Sequence, residues 1–216
     1  MEVTQIEPRW PVVVAIVAIL SLLALLPDRI RAFPRWVPFL LATVLLIPMA
    51  GLTLSSAKAR WLRTENIMIL FFFVIGGLGL VKSLVYMLST MVRHSAEVTG
   101  LQLLSSSIAV WTSNVLFFSL AYWRLDRGGP EDRANRESRK PDWLFPQQGA
   151  PEYVPPDWHP IFIDYLFLAF GTATAFSATD DLPLTSRAKL LMMIESTISL
   201  VTIVTVAARA INILGN

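Results

Sequence analysis

The sequence predicts an all-α integral membrane protein, a bundle of five to six transmembrane helices whose fifth segment is either a full span or a re-entrant helix. Three observations predict it. Of 216 residues, 54% are hydrophobic and only 16% are charged. Mean hydropathy is +0.56, whereas a soluble domain of this size needs more charge to cover its surface. The apolar residues are also pooled into long runs, near the ~20 residues that a helix needs to cross the hydrocarbon layer.

The same composition excludes several kinds of chemistry. There is no cysteine, so disulfides, thiol catalysis and thiolate metal sites are ruled out. His94 and His159 stand far apart in the chain, which argues against a histidine metal cluster. The net charge is +2, and the lysines and arginines lie in connections between apolar runs. The basic pI of about 9.1 therefore reflects membrane topology rather than nucleic-acid binding. With no phosphate-binding glycine loop and no assembled acid, base or nucleophile, neither an enzyme nor a cofactor is expected. The lipid bilayer is the expected partner, in a bacterial inner membrane.

Residues 1–123 read as a four-span bundle. Pro11–Leu26 is the first apolar run, anchored by Trp10 and closed by Pro27 and a charged turn. It reads as a retained span, because acids precede it and no small-residue cleavage site follows. Trp36–Leu54 holds Pro38 and Pro48, which spans tolerate where neighbours re-satisfy the freed carbonyls. The connection SSAKARWLRTEN then reads as an interfacial loop carrying Lys58, Arg60 and Arg63. Ile67–Val92 is the longest predicted helix, with Gly76, Gly77 and Gly79 read as close-packing positions. Lys82, an intramembrane cation, either snorkels or pairs. Leu101–Trp123 carries Ser105, Ser106, Ser107, Thr112, Ser113, Asn114 and Ser119, read as interhelical hydrogen-bonding positions with Asn114 facing protein.

Residues 124–160 differ in kind. Dense in charge and proline, they read as an irregular extramembrane loop with no core of its own. Glu131, Asp132, Asp142 and Asp157 read as solvated surface. Trp143, Phe145, Tyr153 and Trp158 are expected to lay parts of the loop against the interface or the protein.

Residues 161–216 read as a helical hairpin: an apolar segment Ile161–Ala178, a polar turn, and a second apolar segment Leu190–Leu214 interrupted by Glu195 and Arg209. Those two charges lie fourteen residues apart, ~21 Å along a helix, too far to pair with each other. Glu195 is expected to pair with Arg187, Lys189 or Lys82 as a structural anchor, and Arg209 to snorkel.

The hairpin resembles the pore helix, filter and inner helix of tetrameric potassium channels. Thr172-Ala173-Thr174 takes the place of the T-x-T that ends the pore helix, and Asp180 that of the aspartate after the filter. Pro183 and Thr185 match the outer loop, while Lys189-Leu190-Leu191, Glu195 and Ala208-Arg209 match the inner helix. The five filter positions hold Ala175, Phe176, Ser177, Ala178 and Thr179, so the glycines that turn carbonyls toward a dehydrated ion are replaced. Ser199 holds the inner-helix hinge position. The resemblance implies an ion-channel-like protein without a potassium filter, assembled as a homo-oligomer, a tetramer if channel-like, around a path for monovalent cations. Asp180 and Asp181 would form a carboxylate ring at its mouth. The whole chain is also similar to a widespread group of uncharacterised bacterial integral membrane proteins. The alternative is a six-span protein without a pore, acting as a small-solute carrier or a structural, partner-binding membrane component. The positive-inside rule favours that alternative, because the channel arrangement places all six bases of Arg124–Lys140 outside.

Overall fold

The computed structural model describes residues 10–28, 30–54, 58–93, 99–130, 133, 139–156, 158–174 and 180–214. Side chains are described outside 45–46, 48–66, 91–93, 151 and 209–214. The helices are α1 (Trp10–Leu25), α2 (Trp36–Leu54), α3 (Lys58–Arg93), α4 (Gly100–Leu125), the single turn α5 (Pro146–Gly149), α6 (Phe162–Thr174) and α7 (Ser186–Leu214). Two-residue strands β1 (Trp143–Leu144) and β2 (Leu182–Pro183) pair antiparallel, Trp143 opposite Pro183 and Leu144 opposite Leu182. Among the described residues, three helical stretches are long and apolar enough to cross a membrane: Ile67–Thr90, Gly100–Gly128 and Ser186–Ala208.

These helices carry their polarity inside out. On α7 the buried side chains include Glu195, Ser199, Thr202 and Thr205, while Leu190, Met193, Ile194, Leu200 and Val204 are exposed. On α4, Ser106, Ser107, Ser113 and Asn114 are buried and Leu101, Leu104 and Ile108 exposed. Polar groups in hydrocarbon must be answered by protein, whereas aliphatic side chains are at home in lipid. Water would reverse both preferences, so this arrangement belongs to a membrane protein.

Local chemistry explains where the helices begin and end. Helix α3 starts at Lys58, earlier than the expected Ile67, because Lys58–Ile75 of the sequence lacks proline and glycine and contains strong helix formers. The predicted loop around Arg60 and Arg63 is therefore helical. Helix α4 opens on a capping box: the Gln102 N–H donates to Thr99 Oγ1 and the Thr99 N–H to Gln102 Oε1, both at 3.2 Å. It closes in a 3-10 turn and Gly129, whose φ of 108° suits glycine alone. A Cβ there would also approach the Arg124 carbonyl oxygen to 3.1 Å.

The chain divides into two compact units, one holding Asn114–Leu200 and the other Val13–Ser113 with Val201–Asn216. In the second, Gly79 packs under Phe33 so closely that a Cβ would lie 2.7 Å from the ring, as expected of a packing glycine. Lys82 donates to the Ala32 carbonyl at 2.9 Å and lies over the Phe33 and Tyr86 rings. It neither snorkels freely nor forms an ion pair among the described residues. Arg31 pairs with Asp28 and reaches the Ala24 carbonyl at the end of α1. The serines of α4 serve less as interhelical glue than expected. Ser105 and Ser106 donate to the Gln102 carbonyl, Ser107 to Leu103 and Ser119 to Leu116. A carbonyl three or four residues back is always within a hydroxyl's reach. Ser107 also meets a neighbouring helix, at Met87 Sδ, 3.2 Å away.

Candidate functional site

The site lies in the unit formed by Asn114–Leu200, where the end of α4, the 124–160 segment, α6 and the first half of α7 converge. Its outer part is a cluster of buried acids. Asp126 and Asp142 are both fully buried. Asp126 Oδ1 accepts the Asp142 N–H and Oδ2 accepts the Tyr165 hydroxyl, each at 2.7 Å. Asp142 Oδ1 accepts Thr185 Oγ1 and Arg187 Nε, both at 2.6 Å, and Oδ2 accepts Arg187 Nη2. Thr185 also caps α7, accepting the Ala188 N–H at 3.3 Å. Arg133 donates to the Trp123 and Asp126 carbonyls and lies over the Trp123 and Tyr165 rings.

This cluster corrects the expected loop. Asp142 is an ion-paired core residue rather than part of a solvated surface, and Trp143 and Phe145 are buried beside it. Trp143 packs on Tyr122 at 4.8 Å, and Phe145 meets Tyr165 edge-on at 5.3 Å. Composition counted too few aliphatic residues for a core. It did not count aromatic rings held by paired charges. Of the other aromatics, Trp158 lies against Phe145 while Tyr153 is exposed. Glu131, Asp132 and Asp157 lie outside the described residues.

Deeper along α7 sits Glu195, with no exposed surface. It is the tenth residue of the helix, ~14 Å from Ser186, and near the middle of the apolar stretch Ser186–Ala208. Its Oε2 accepts the Tyr122 hydroxyl, and its main-chain carbonyl accepts Asn114 Nδ2 at 3.2 Å. No protein donor among the described residues reaches Glu195 Oε1 or Asn114 Oδ1. Of the expected partners Arg187, Lys189 and Lys82, none is bonded to it. Arg187 is committed to Asp142, Lys82 to Ala32, and Lys189 is exposed.

The hairpin residues fall on both sides of Glu195. Thr172 is buried and its hydroxyl returns to the Leu168 carbonyl, while that of Thr174 returns to Gly171. The two last-turn carbonyls they leave are covered from α7: Ser196 Oγ donates to Thr172 O at 3.2 Å and Ser199 Oγ to Ala173 O. Ser199, read as a hinge position, is thus a cap on α6. Ala175, Phe176, Ser177, Ala178 and Thr179 lie outside the described residues, as does the Arg209 side chain. Asp180 is exposed whereas Asp181 is buried, so the adjacent pair does not form one carboxylate surface. Burial, then the charges of Asp164 and Asp180, push the Asp181 carboxyl up to about 6.

The contacts of α6 with its surroundings have a definite order. Its start, at Tyr165, meets the Asp126 cluster that also binds Thr185 and Arg187 at the start of α7. Its end meets Ser196 and Ser199, in the middle of α7. The two helices therefore run in the same direction. The described α6 has 13 residues, ~20 Å of helix against a hydrocarbon layer of ~30 Å.

Sequence reading missed Tyr122, Asp126 and Tyr165, and expected Arg187 at Glu195 rather than at Asp142. One available signal was spacing: Asn114, Phe118 and Tyr122 recur every fourth residue on α4, as Glu195, Ser199 and Thr202 do at helical spacing on α7. Comparison with protein-family models, curated proteins and solved structures returns no match.

Proposed function

We propose that this protein is an ion-channel-like integral membrane protein in which the α6 arm of the C-terminal hairpin enters and leaves the bilayer on one side. In this reading α6 is a re-entrant half-helix, and α7 then crosses. Several copies, four by the resemblance to potassium channels, surround a path for monovalent cations that lacks a potassium filter. A single hairpin supplies one wall, so oligomerisation is part of the proposal.

The observation that carries it is the shared direction of α6 and α7. Two consecutive full spans joined by a short turn run antiparallel. A short helix whose start and following helix's start share one cluster fits a segment that turns back at mid-depth. A helix end at that depth is tolerated where protein or a water-filled path surrounds its carbonyls, and Ser196 and Ser199 cover two of those at the end of α6. The positive-inside count favours six spans, so this reading stands on the shared helix direction against that count.

The test is topological. The chain has no cysteine, so Lys140→Cys and Asn216→Cys can each be labelled singly with an impermeant maleimide in sealed vesicles. Labelling from opposite sides supports the re-entrant reading. Labelling from one side overturns it and leaves the six-span carrier. Cation flux in liposomes, reduced by changing Asp180 and Asp181 together to Asn, tests conduction separately.

A further inference from the structure

Glu195 is a carboxyl at mid-membrane depth with one of its two oxygens unanswered by protein among the described residues. The side chain bound to it is the neutral Tyr122 hydroxyl. Among the described residues, the elements around it offer no counter-charge. On α4, Asn114, Phe118 and Tyr122 are uncharged. On α6, Thr172 and Ala173 present a hydroxyl and a methyl. From the 124–160 segment, Trp143 packs at a tilt on Tyr122 and donates Nε1 to Met192 Sδ at 3.4 Å. On α7 itself, Arg187 lies eight residues earlier, ~12 Å away, and is held by Asp142; Lys189 is exposed. A bare carboxylate in such a place costs several kcal/mol. Gln would keep a contact with Tyr122 without that cost, so an acid here points to something the acid does.

We propose that Glu195 is a binding site for a single positive charge, delivered as a proton or a sodium-sized monovalent cation, at Oε1. Tyr122 is its positioning residue, fixing the carboxyl through Oε2 and leaving Oε1 available. Asn114, bonded through Nδ2 to the Glu195 main chain, keeps a second acceptor, Oδ1, open in the same region. The site is a property of α4 and α7 and does not depend on the hairpin being re-entrant, so each reading fails on its own experiment.

The probe is dicyclohexylcarbodiimide, an apolar reagent that enters bilayers and adds to carboxyls. The carboxyl proton moves to a carbodiimide nitrogen as the oxygen bonds to the central carbon, and the O-acylisourea rearranges by oxygen-to-nitrogen acyl transfer to a stable N-acylurea without a leaving group. Purified full-length protein in liposomes is treated, and the adduct is located by peptide mass. The expected result is one adduct, on Glu195, formed by folded protein. If sodium is the occupant, sodium chloride at ten times its Kd slows labelling about tenfold at constant pH and ionic strength, by mass action. If the proton is the occupant, sodium has no effect and labelling slows about tenfold per pH unit once the carboxyl is ionised. Tyr122→Phe shifts whichever midpoint applies without abolishing the adduct. A Glu195 that labels only after unfolding, or at a rate insensitive to both sodium and pH, is a structural residue and overturns the proposal.

Discussion

Asp142 and Glu195 are both fully buried acids of the unit formed by Asn114–Leu200, yet their surroundings differ. Asp142 accepts three side-chain donors on its two oxygens, including a two-pronged contact from Arg187, and its main-chain carbonyl accepts the Leu184 N–H at 2.8 Å. Glu195 accepts one neutral hydroxyl. A fully answered acid holds elements in place, since removing it strands its partners. An under-answered acid holds little, and its retained charge is the more informative property. The first ties the 124–160 segment to the start of α7; the second leaves an acceptor open within the apolar stretch of α7.

The contrast predicts a graded set of outcomes. The largest effect is expected at Asp142. Asp142→Ala strands Arg187 and Thr185 and loosens the β1–β2 pairing, and should destabilise the protein by about 3 kcal/mol, the scale of breaking a buried pair with a partly exposed partner. Thermal unfolding in detergent measures it, and a loss below about 1 kcal/mol would make the cluster ornamental.

Asp181 comes next, with the opposite sign. Its folded value of about 6 exceeds its ordinary 3.8, so the folded state binds the proton more tightly. The stability from this group is fully present below about pH 4 and is lost as pH rises through 6. Asp181→Asn should therefore stabilise the protein by about 2 kcal/mol at pH 8, with the gain vanishing at pH 4. A pH-independent difference would refute the assignment.

Ser199→Ala removes the donor that covers the Ala173 carbonyl at the end of α6, and a cost of about 1 kcal/mol is expected. Hydrogen exchange should quicken in the last turn of α6 before it does in α7. If both helices respond equally, Ser199 is a general packing residue rather than a cap.

The smallest effect is predicted for Glu195→Gln, within about 0.5 kcal/mol of wild type, because the amide keeps a contact with Tyr122 and removes a buried charge. A loss as large as that of Asp142→Ala would erase the distinction between the two acids and restore Glu195 as an anchor.

The membrane class, the long apolar helices and the buried orientation of Asn114 were legible in the sequence, because hydrocarbon demands long apolar runs and forces polar side chains toward protein. Gly79 was legible because a glycine within an apolar run marks a close approach of neighbouring groups. The role of the 124–160 segment was not. Its acids lie among bases in the chain, and only folding decides that Asp142 meets Arg187, forty-five residues away, while Asp180 stays exposed. Spacing put Glu195 and Asn114 on helices but could not say which faces meet.

Which segments are helical and apolar enough for lipid follows from the order of residues alone, since chain length and transfer free energy are local properties of a stretch. The direction of α6 relative to α7, the partners of each buried acid and the oxygen left unanswered on Glu195 emerge only when the chain is folded. Those depend on which long-range contacts close around a polar group, and burial makes each such group answerable to neighbours that are distant in the chain.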